Sequence, residues 1–374
     1  MKIDRIRIWQ ADLPLKEGFY AWSTQSFAAF DTTIVAIDTD QGLTGYGETC
    51  PLGPAYLPAY PEGARTGIAT MAPELMGWDP TALDVLNHRM DQVMKGHSYA
   101  KSAVDMACWD IFGKATGMPV CHLLGGRAQE KVKLFKVVTR DAPKAMAERV
   151  AEYQAEGFTQ FQVKVGEHPE TDLQRMRACA AAMREGDVMD ADANTGWRQH
   201  DALRVARGME RIQAEHASIS VYLEQPCLSY AECLAVRRAT GLPMVLDEVM
   251  TDADALIRGA EDRAMDLINL KINRMGGLTR ARQIRDLCLH FGIAMTIEDS
   301  WGGEIATAAI AHLAASTPAD YHWQSSAFQE YHTRALGPSG VEIEDGWMIP
   351  SAAPGLGAEP DLPSLGAPVF DSRG

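Results

Sequence analysis

The sequence predicts an α/β protein whose main body is a parallel (β/α) barrel. Three observations predict it. Short β-branched runs alternate with amphipathic helical stretches about eight times, at a spacing of roughly 25 residues; this implies a parallel sheet with helical crossovers, and eight units imply closure. No G-x-G-x-x-G loop follows the first of these strands, as it would in an open dinucleotide-binding sheet. Carboxylates recur at the expected carboxyl ends of successive strands, where barrel enzymes place their chemistry.

The elements follow in order. Residues 1–8 alternate polar and apolar side chains, as a strand does and a signal peptide does not. Residues 32–37 are β-rich, and Asp40-Gln41-Gly42 turns the chain. Gly42, Gly45 and Gly47 precede Glu48-Thr49-Cys50-Pro51. Residues 63–117 are helical in period; the clearest helix is 99–110, and Gly117-Met118-Pro119 is its stop signal. After Leu123-Leu124-Gly125-Gly126 the rhythm changes. Strands are expected at 132–138, 161–165, 188–191, 220–223, 244–246, 267–272, 293–297 and, more weakly, 321–324, with helices such as 143–156 and 279–290 between them. The tail from Ser351 is rich in Pro and Gly and reads as irregular.

Composition narrows the function. The 374 residues suffice for about two domains and for a core needing no disulfide or metal staple. Lys plus Arg number 35 against 50 Asp plus Glu, a net charge of −15, so nucleic acid and anionic membrane are not the expected partners. No apolar run approaches the roughly 20 residues that span a bilayer. Seven scattered cysteines without a C-x-x-C pair read as reduced, buried thiols, and a cytoplasmic protein is expected.

The strand ends carry the candidate chemistry. In order they read Gln162-Val163-Lys164-Val165-Gly166, Asp190-Ala191-Asp192-Ala193-Asn194, Tyr222-Leu223-Glu224-Gln225-Pro226, Val245-Leu246-Asp247-Glu248, Asn269-Leu270-Lys271-Ile272-Asn273 and Thr296-Ile297-Glu298-Asp299-Ser300. Three successive strands thus present Asp192, Glu224 and Asp247. Like charges gathered at a dry barrel mouth repel unless a cation neutralises them. A set of oxygen ligands without Cys or His suits a hard cation, with Mg2+ the first expectation. Lys164 precedes this group and Lys271 follows it, on strands that face each other across the mouth. Taken singly, each residue is more often a helix cap, a solvated loop residue or an ion-pair partner; the signal is the five in strand order. His97 and His122 read as structural, and Gly276-Gly277 as a turn.

A metal that holds a substrate carboxylate stabilises the dianion left when the neighbouring C–H proton departs. The base must then be an uncharged amine. Burial, the metal and the second lysine are expected to lower a lysine pKa into a useful range. Two opposed lysines permit either inversion of a stereocentre or elimination of water. Two other classes remain open here: a Schiff-base barrel lyase, which needs one lysine and no acid triad, and a barrel that binds a ligand without turning it over.

These residues resemble the enolase superfamily, in the muconate-lactonizing subgroup of its mandelate racemase/muconate lactonizing enzyme family. The resemblance is carried by Ser102 to Asp110, Leu123-Leu124-Gly125-Gly126, Lys164-Val165-Gly166, Asp192-Ala193-Asn194, Glu224-Gln225-Pro226, Asp247-Glu248, Lys271 to Leu278 and Pro354-Gly355-Leu356-Gly357. It implies a modified TIM barrel, (β/α)7β, over residues 126–330. Residues 1–125 would form an α+β cap, with the tail 331–374 packed back onto it. It implies one Mg2+ per subunit on Asp192, Glu224 and Asp247, an acid/base pair of Lys164 and Lys271, and a homo-oligomer. Asn194 and Glu248, next to two of the acids, are expected to support them or the substrate.

One departure narrows the substrate. The subgroup carries Lys-x-Lys on the second strand, and Gln162 stands in the first position here. Gln-x-Lys is similar to the branch that acts on proline derivatives, the proline-betaine epimerases and cis-3-hydroxy-L-proline dehydratases, as are the stretches 48–54, 96–101 and 299–303. Trp323-Gln324-Ser325-Ser326 carries no acid, which disfavours a dipeptide's ammonium. A betaine wants an aromatic cage, for which Trp22, Tyr56, Tyr60 and Trp323 are candidates. A secondary amine wants an acid, which Glu298 and Asp299 offer. In cis-3-hydroxy-L-proline the α-hydrogen and hydroxyl lie on opposite ring faces, so opposed lysines suit its dehydration. Epimerisation of a betaine by the same lysines is the alternative.

Overall fold

The computed structural model describes residues 1–374, beginning with a long strand, β1 (Ile3–Pro14). A hairpin of β2 (Tyr20–Trp22) and β3 (Gln25–Phe27) follows, then β4 (Ala29–Thr39) and β5 (Thr44–Thr49). β1, β4 and β5 form an antiparallel sheet. Three helices come next: α1 (Pro61–Leu75), α2 (Leu83–Val93) and α3 (Ser98–Thr116). Helix α3 is buried on every side from Tyr99 to Ile111. The early glycines explain how it packs so closely on β5: a Cβ on Gly47 would lie 1.9 Å from the Ala103 carbonyl oxygen, and one on Gly45 2.1 Å from that of Ala107. Only a residue without a side chain allows that approach. No helix is long and apolar enough to cross a membrane.

After α4 (Val120–Leu123), the chain makes β6 (Val132–Lys133) and enters the barrel. Strand and helix then alternate: β7 (Lys136–Val138), α5 (Pro143–Ala155), β8 (Gln160–Lys164), α6 (Pro169–Ala182), β9 (Val188–Asp192), α7 (Gln199–Glu215) and β10 (Ser220–Glu224). The alternation continues through α8 (Tyr230–Arg237), β11 (Met244–Leu246), α9 (Ala253–Asp262), β12 (Leu267–Lys271), the short α10 (Ile272–Met275), α11 (Leu278–Phe291), β13 (Ala294–Glu298), α12 (Glu304–Ala315) and β14 (His322–Ser325). Strands β7 to β14 form one parallel sheet in chain order, and the bridge Leu134↔Ser325 joins its two edges. Seven strand–helix units and an eighth strand result, as expected for (β/α)7β.

The expected strand 132–138 divides in two. Its first residues, in β6, pair antiparallel with β16 (Trp347–Pro350), itself paired with β15 (Val341–Glu344); only 136–138 joins the barrel. The apolar pattern runs on through both pieces because every residue from 132 to 138 except Lys133 is buried, so periodicity alone does not reveal the change of sheet. The tail is irregular apart from α13 (Leu362–Leu365) and β17 (Phe370–Asp371), which pairs with β1.

Two buried carboxylates fasten the N-terminal region to the barrel. Glu48 on β5 accepts bonds from the backbone N–H of Gly303 (2.6 Å) and Ala306 (2.9 Å) at the start of α12, and from the Thr32 hydroxyl (2.8 Å). Asp105 on α3 accepts the Thr279 N–H (3.0 Å) at the start of α11, and also the Thr279 hydroxyl and the Asn87 amide. Each satisfies helix N–H groups that have no partner within their own helix. The Gly276-Gly277 turn permits the second contact, since a Cβ on Gly277 would meet Asp105 Oδ2 at 2.4 Å.

Candidate active site

Barrel register sets the candidate residues side by side. Lys164 is the partner of Asp192 across β8 and β9, and Asp192 of Glu224 across β9 and β10. Lys271 is the partner of Glu298 across β12 and β13. Strand alternation turns all of them inward at the carboxyl ends. Lys164 and Lys271 line one narrow cavity with Gln162, Asn194, Glu298, Asp299, Tyr20, Trp22 and Tyr56. The β2–β3 hairpin covers this mouth, held by Ser23, whose N–H donates to the Val165 carbonyl (3.2 Å) and whose hydroxyl donates to that of Ala193 (2.8 Å).

The polar contacts are dense. Lys164 Nζ bonds to Asp192 Oδ2, and Asp192 Oδ1 accepts the Asn194 N–H at 2.7 Å. Glu224 accepts from Gln162 Nε2 (3.1 Å) and Asn269 Nδ2 (2.6 Å). Asp247 accepts from Lys271 Nζ (2.9 Å), Arg274 Nη1 (2.7 Å) and the Tyr56 hydroxyl (3.0 Å), and that hydroxyl itself accepts from Lys271 at 2.7 Å. Glu248 accepts from Asn194 Nδ2 at 3.1 Å. Asp192, Glu224 and Asp247 are wholly buried.

Burial and charge shift these groups strongly. Burial raises Glu224 well above the usual carboxylate range, and repulsion from Asp190 and Asp192 adds to it. Burial, with Asp247 and Asp192 nearby, lifts Glu248 to about 8. Burial also works against an ionised Asp247, yet Arg274 and Lys271 hold its carboxyl below the usual range. Burial pulls both ammoniums down, but the carboxylates outweigh it. Asp192, with Tyr20 and Glu224, keeps Lys164 well above its ordinary value, and Asp247 with Glu298 does the same for Lys271. The sequence led us to expect lowered amines. The direction differs because each lysine is the counter-ion of an acid.

The carboxylates are not gathered about a single point, since each is drawn onto its own cationic or amide partner. The donor set nevertheless has the chemistry of a hard-cation site: three buried acids on adjacent strands, oxygen donors only, and a mutual repulsion that a divalent ion relieves. A wide cleft, about 1080 Å³ between helices α1–α3 and α10–α11, holds neither lysine and none of these three acids. The chemistry, not the size of a cleft, locates the site.

Several side chains fall elsewhere than expected. Trp323 does not line the lysine cavity; its ring packs 4.5 Å from that of Tyr222, whose position on β10 precedes Glu224 by one inward layer. Tyr60 is half exposed and lies on the wide cleft. Tyr20 and Arg274 were not singled out by sequence. Arg274 had a signal, its place in the Lys271 to Leu278 run just past the sixth strand end; Tyr20, in a strand of three residues, had none.

The comparisons agree along the whole chain. Residues 6–125 match the N-terminal domain model of mandelate racemase / muconate lactonizing enzyme, and residues 145–364 the enolase C-terminal domain-like model. The chain is 48% identical over 370 residues, 99% of both chains, to a cis-3-hydroxy-L-proline dehydratase from Roseibium aggregatum. It is 28% identical to an N-succinyl-L-Arg/Lys racemase from Bacillus cereus, over 84% of this chain and 85% of that one. A crystal structure of a mandelate racemase/muconate lactonizing enzyme from Roseovarius nubinhibens superposes with a TM-score of 0.94 at 41% identity, covering 99% and 98% of the two chains. Another from the same organism, complexed with magnesium, gives 0.93 at 35% identity over 99% and 100%. With both domain models matched and the fold shared end to end, the chain belongs to the mandelate racemase/muconate lactonizing enzyme family of the enolase superfamily.

Proposed function

We propose that this protein is a Mg2+-dependent hydro-lyase that converts cis-3-hydroxy-L-proline to Δ1-pyrroline-2-carboxylate. The observation that carries the proposal is that Lys164 and Lys271, from strands on opposite sides of the barrel, line one cavity in a chain 48% identical to such a dehydratase. Asp192, Glu224 and Asp247 would hold the metal. Bound there, Mg2+ supplies Lewis-acid charge to the substrate carboxylate, which acidifies the adjoining C–H.

The rest falls to the chain itself. With Asp192 and Asp247 committed to the cation and Glu298 to the substrate nitrogen, burial and the Arg274 charge would be left to pull Lys271 down, so that one lysine is free base and the other ammonium. Lys271 takes the proton from C2 and Lys164 gives a proton to the 3-hydroxyl on the opposite ring face. The C2–H and C3–O bonds break, a C2–C3 double bond forms and water leaves. The resulting enamine tautomerises to the imine.

Glu298 supports a secondary amine as substrate. Its Oε1 is buried, faces the cavity, lies 3.5 Å from Lys271 Nζ and makes no hydrogen bond. Asp299 is not available for this, since the N–H groups of Asn273 (3.0 Å) and Ser300 (2.7 Å) hold its two oxygens. One observation favours the epimerase reading: the Trp22 and Tyr56 rings both line the cavity, centroids 6.2 Å apart, as two walls of a cage for a quaternary cation. A panel of proline derivatives followed by NMR in D2O separates the two. Loss of water from cis-3-hydroxy-L-proline supports dehydration; deuterium at C2 of a betaine with the skeleton intact, and no water loss, overturns it.

A further inference from the structure

The three candidate metal ligands are not anchored alike. Asp192 and Glu224 are the last residues of β9 and β10 and are register partners in the ladder. Strand β11 stops at Leu246, one residue short of Asp247, so the Asp247 N–H lies beyond the ladder. A buried N–H without an acceptor is costly. The acceptor here is a side chain, Gln225 Oε1, at 2.9 Å.

Gln225 is tied to all three ligand segments. It follows Glu224 directly, its N–H donates to the Val245 carbonyl on β11 (3.0 Å), and its carbonyl accepts the Thr195 N–H (3.0 Å), three residues past Asp192. Its side chain is held at both polar atoms. Nε2 donates to the Cys227 carbonyl at 3.0 Å, which turns Oε1 towards Asp247. A carboxylate of the same shape would have nothing to donate to Cys227 and would add charge beside the acids. Gln225 has no exposed surface.

The backbone around it is strained. Of seven non-glycine residues with positive φ, three stand within three residues after Asp192 or Glu224: Asn194 (+40°), Thr195 (+65°) and Gln225 (+32°). Such conformations cost energy and persist where the surroundings hold them. Glycine would relieve the strain at 225, but it would leave the Asp247 N–H without its acceptor.

We propose that Gln225 is a positioning residue of the metal site, whose side-chain amide sets Asp247 in place relative to Glu224 and Asp192. This role rests on those three acids being the Mg2+ ligands, and not on which reaction the lysines perform.

The test is Mg2+ titration by calorimetry without substrate. Gln225→Met keeps the length of the side chain and loses both polar atoms. Its Kd for Mg2+ is expected to rise about 10–100-fold, as when other partners that orient a metal ligand are removed. Gln225→Asn keeps the amide but is one methylene shorter; it should weaken binding too, and it gives the same readout should Gln225→Met fail to fold. His312→Asn removes a buried hydrogen bond outside the site, so it should lower the melting temperature and leave the Kd unchanged. Wild-type affinity in both Gln225 variants would overturn this role, as would an equal loss of affinity in His312→Asn. A wild type that binds no Mg2+ would overturn the ligand assignment itself, and this role with it.

Discussion

The sharpest quantitative test of the architecture is acid titration of His312. This side chain on α12 has no exposed surface. Its Nδ1 accepts the Cys121 N–H at 3.2 Å and its Nε2 donates to the Leu356 carbonyl at 3.1 Å, so the ring ties α4 and the tail to a barrel helix. One nitrogen must stay unprotonated to accept, and burial pushes the pKa from 6.5 down to about 4. A folded pKa below the unfolded one means the unfolded chain binds the extra proton. The stabilisation is therefore complete above pH 6.5 and is lost as pH falls towards 4. A shift from 6.5 to about 4 implies a loss of about 2–3 kcal/mol between pH 7.5 and 4.5, at most about 1.4 kcal/mol per pH unit. His312→Asn keeps an acceptor near Nδ1 but has no titrating ring. Urea unfolding of wild type and variant should show the wild type ahead by about 1–3 kcal/mol at pH 7.5, from the lost bond to Leu356. That lead should vanish near pH 4.5. His322 and His332 are also lowered by burial, to about 4 and about 3, but they titrate in both proteins and cancel in the difference. A difference that stays constant across this range would refute the reasoning.

Further expectations concern the site. Lys271→Ala should lose about 10²–10⁴-fold in turnover and also stop exchange of the C2 hydrogen in D2O, whereas Lys164→Ala should keep the exchange and stop water loss. Loss of exchange in both variants would overturn the assignment of roles. Asp192→Asn, Glu224→Gln and Asp247→Asn should each weaken Mg2+ binding measured by calorimetry, and EDTA should abolish wild-type turnover; a rate unchanged by EDTA would remove the metal from the reaction. Glu298→Gln should raise KM for the secondary amine more than it lowers kcat, with little change for N-dimethylated analogues. Equal effects on both substrates would show that Glu298 does not read the ring nitrogen.

Legibility from sequence was uneven, for definite reasons. The barrel could be read because its strands are short, β-branched and regularly separated by helices, and because strand ends bring Lys164, Asp192, Glu224, Asp247 and Lys271 to one mouth whatever the detailed register. The start of the first barrel strand could not, because burial runs almost unbroken through β6 and β7 while they pair with different sheets. Trp323 read as a cage candidate because it stands at the eighth strand end, yet it packs on Tyr222 away from the lysines. The direction of the lysine shifts depends on which acids pair with which amines, and that is a property of side-chain geometry rather than of spacing. Asp190, two residues before Asp192 on the same face, is buried in the layer below the mouth, and strand-end position alone does not separate the two acids.

The carboxylate anchors Glu48 and Asp105 bear on how this scaffold can be re-engineered. They grip the starts of the two helices that follow the strands carrying Lys271 and Glu298, while the mouth is covered by separate segments that bear Tyr20, Trp22 and Tyr56. These two anchors are thus separate from the surface that the N-terminal region shows the substrate. A chimaera that transplants only the hairpin and the 51–60 segment from a relative, leaving both anchors in place, should keep its assembly while exchanging what it recognises. One that replaces either anchor should lose the docking before selectivity can be asked about.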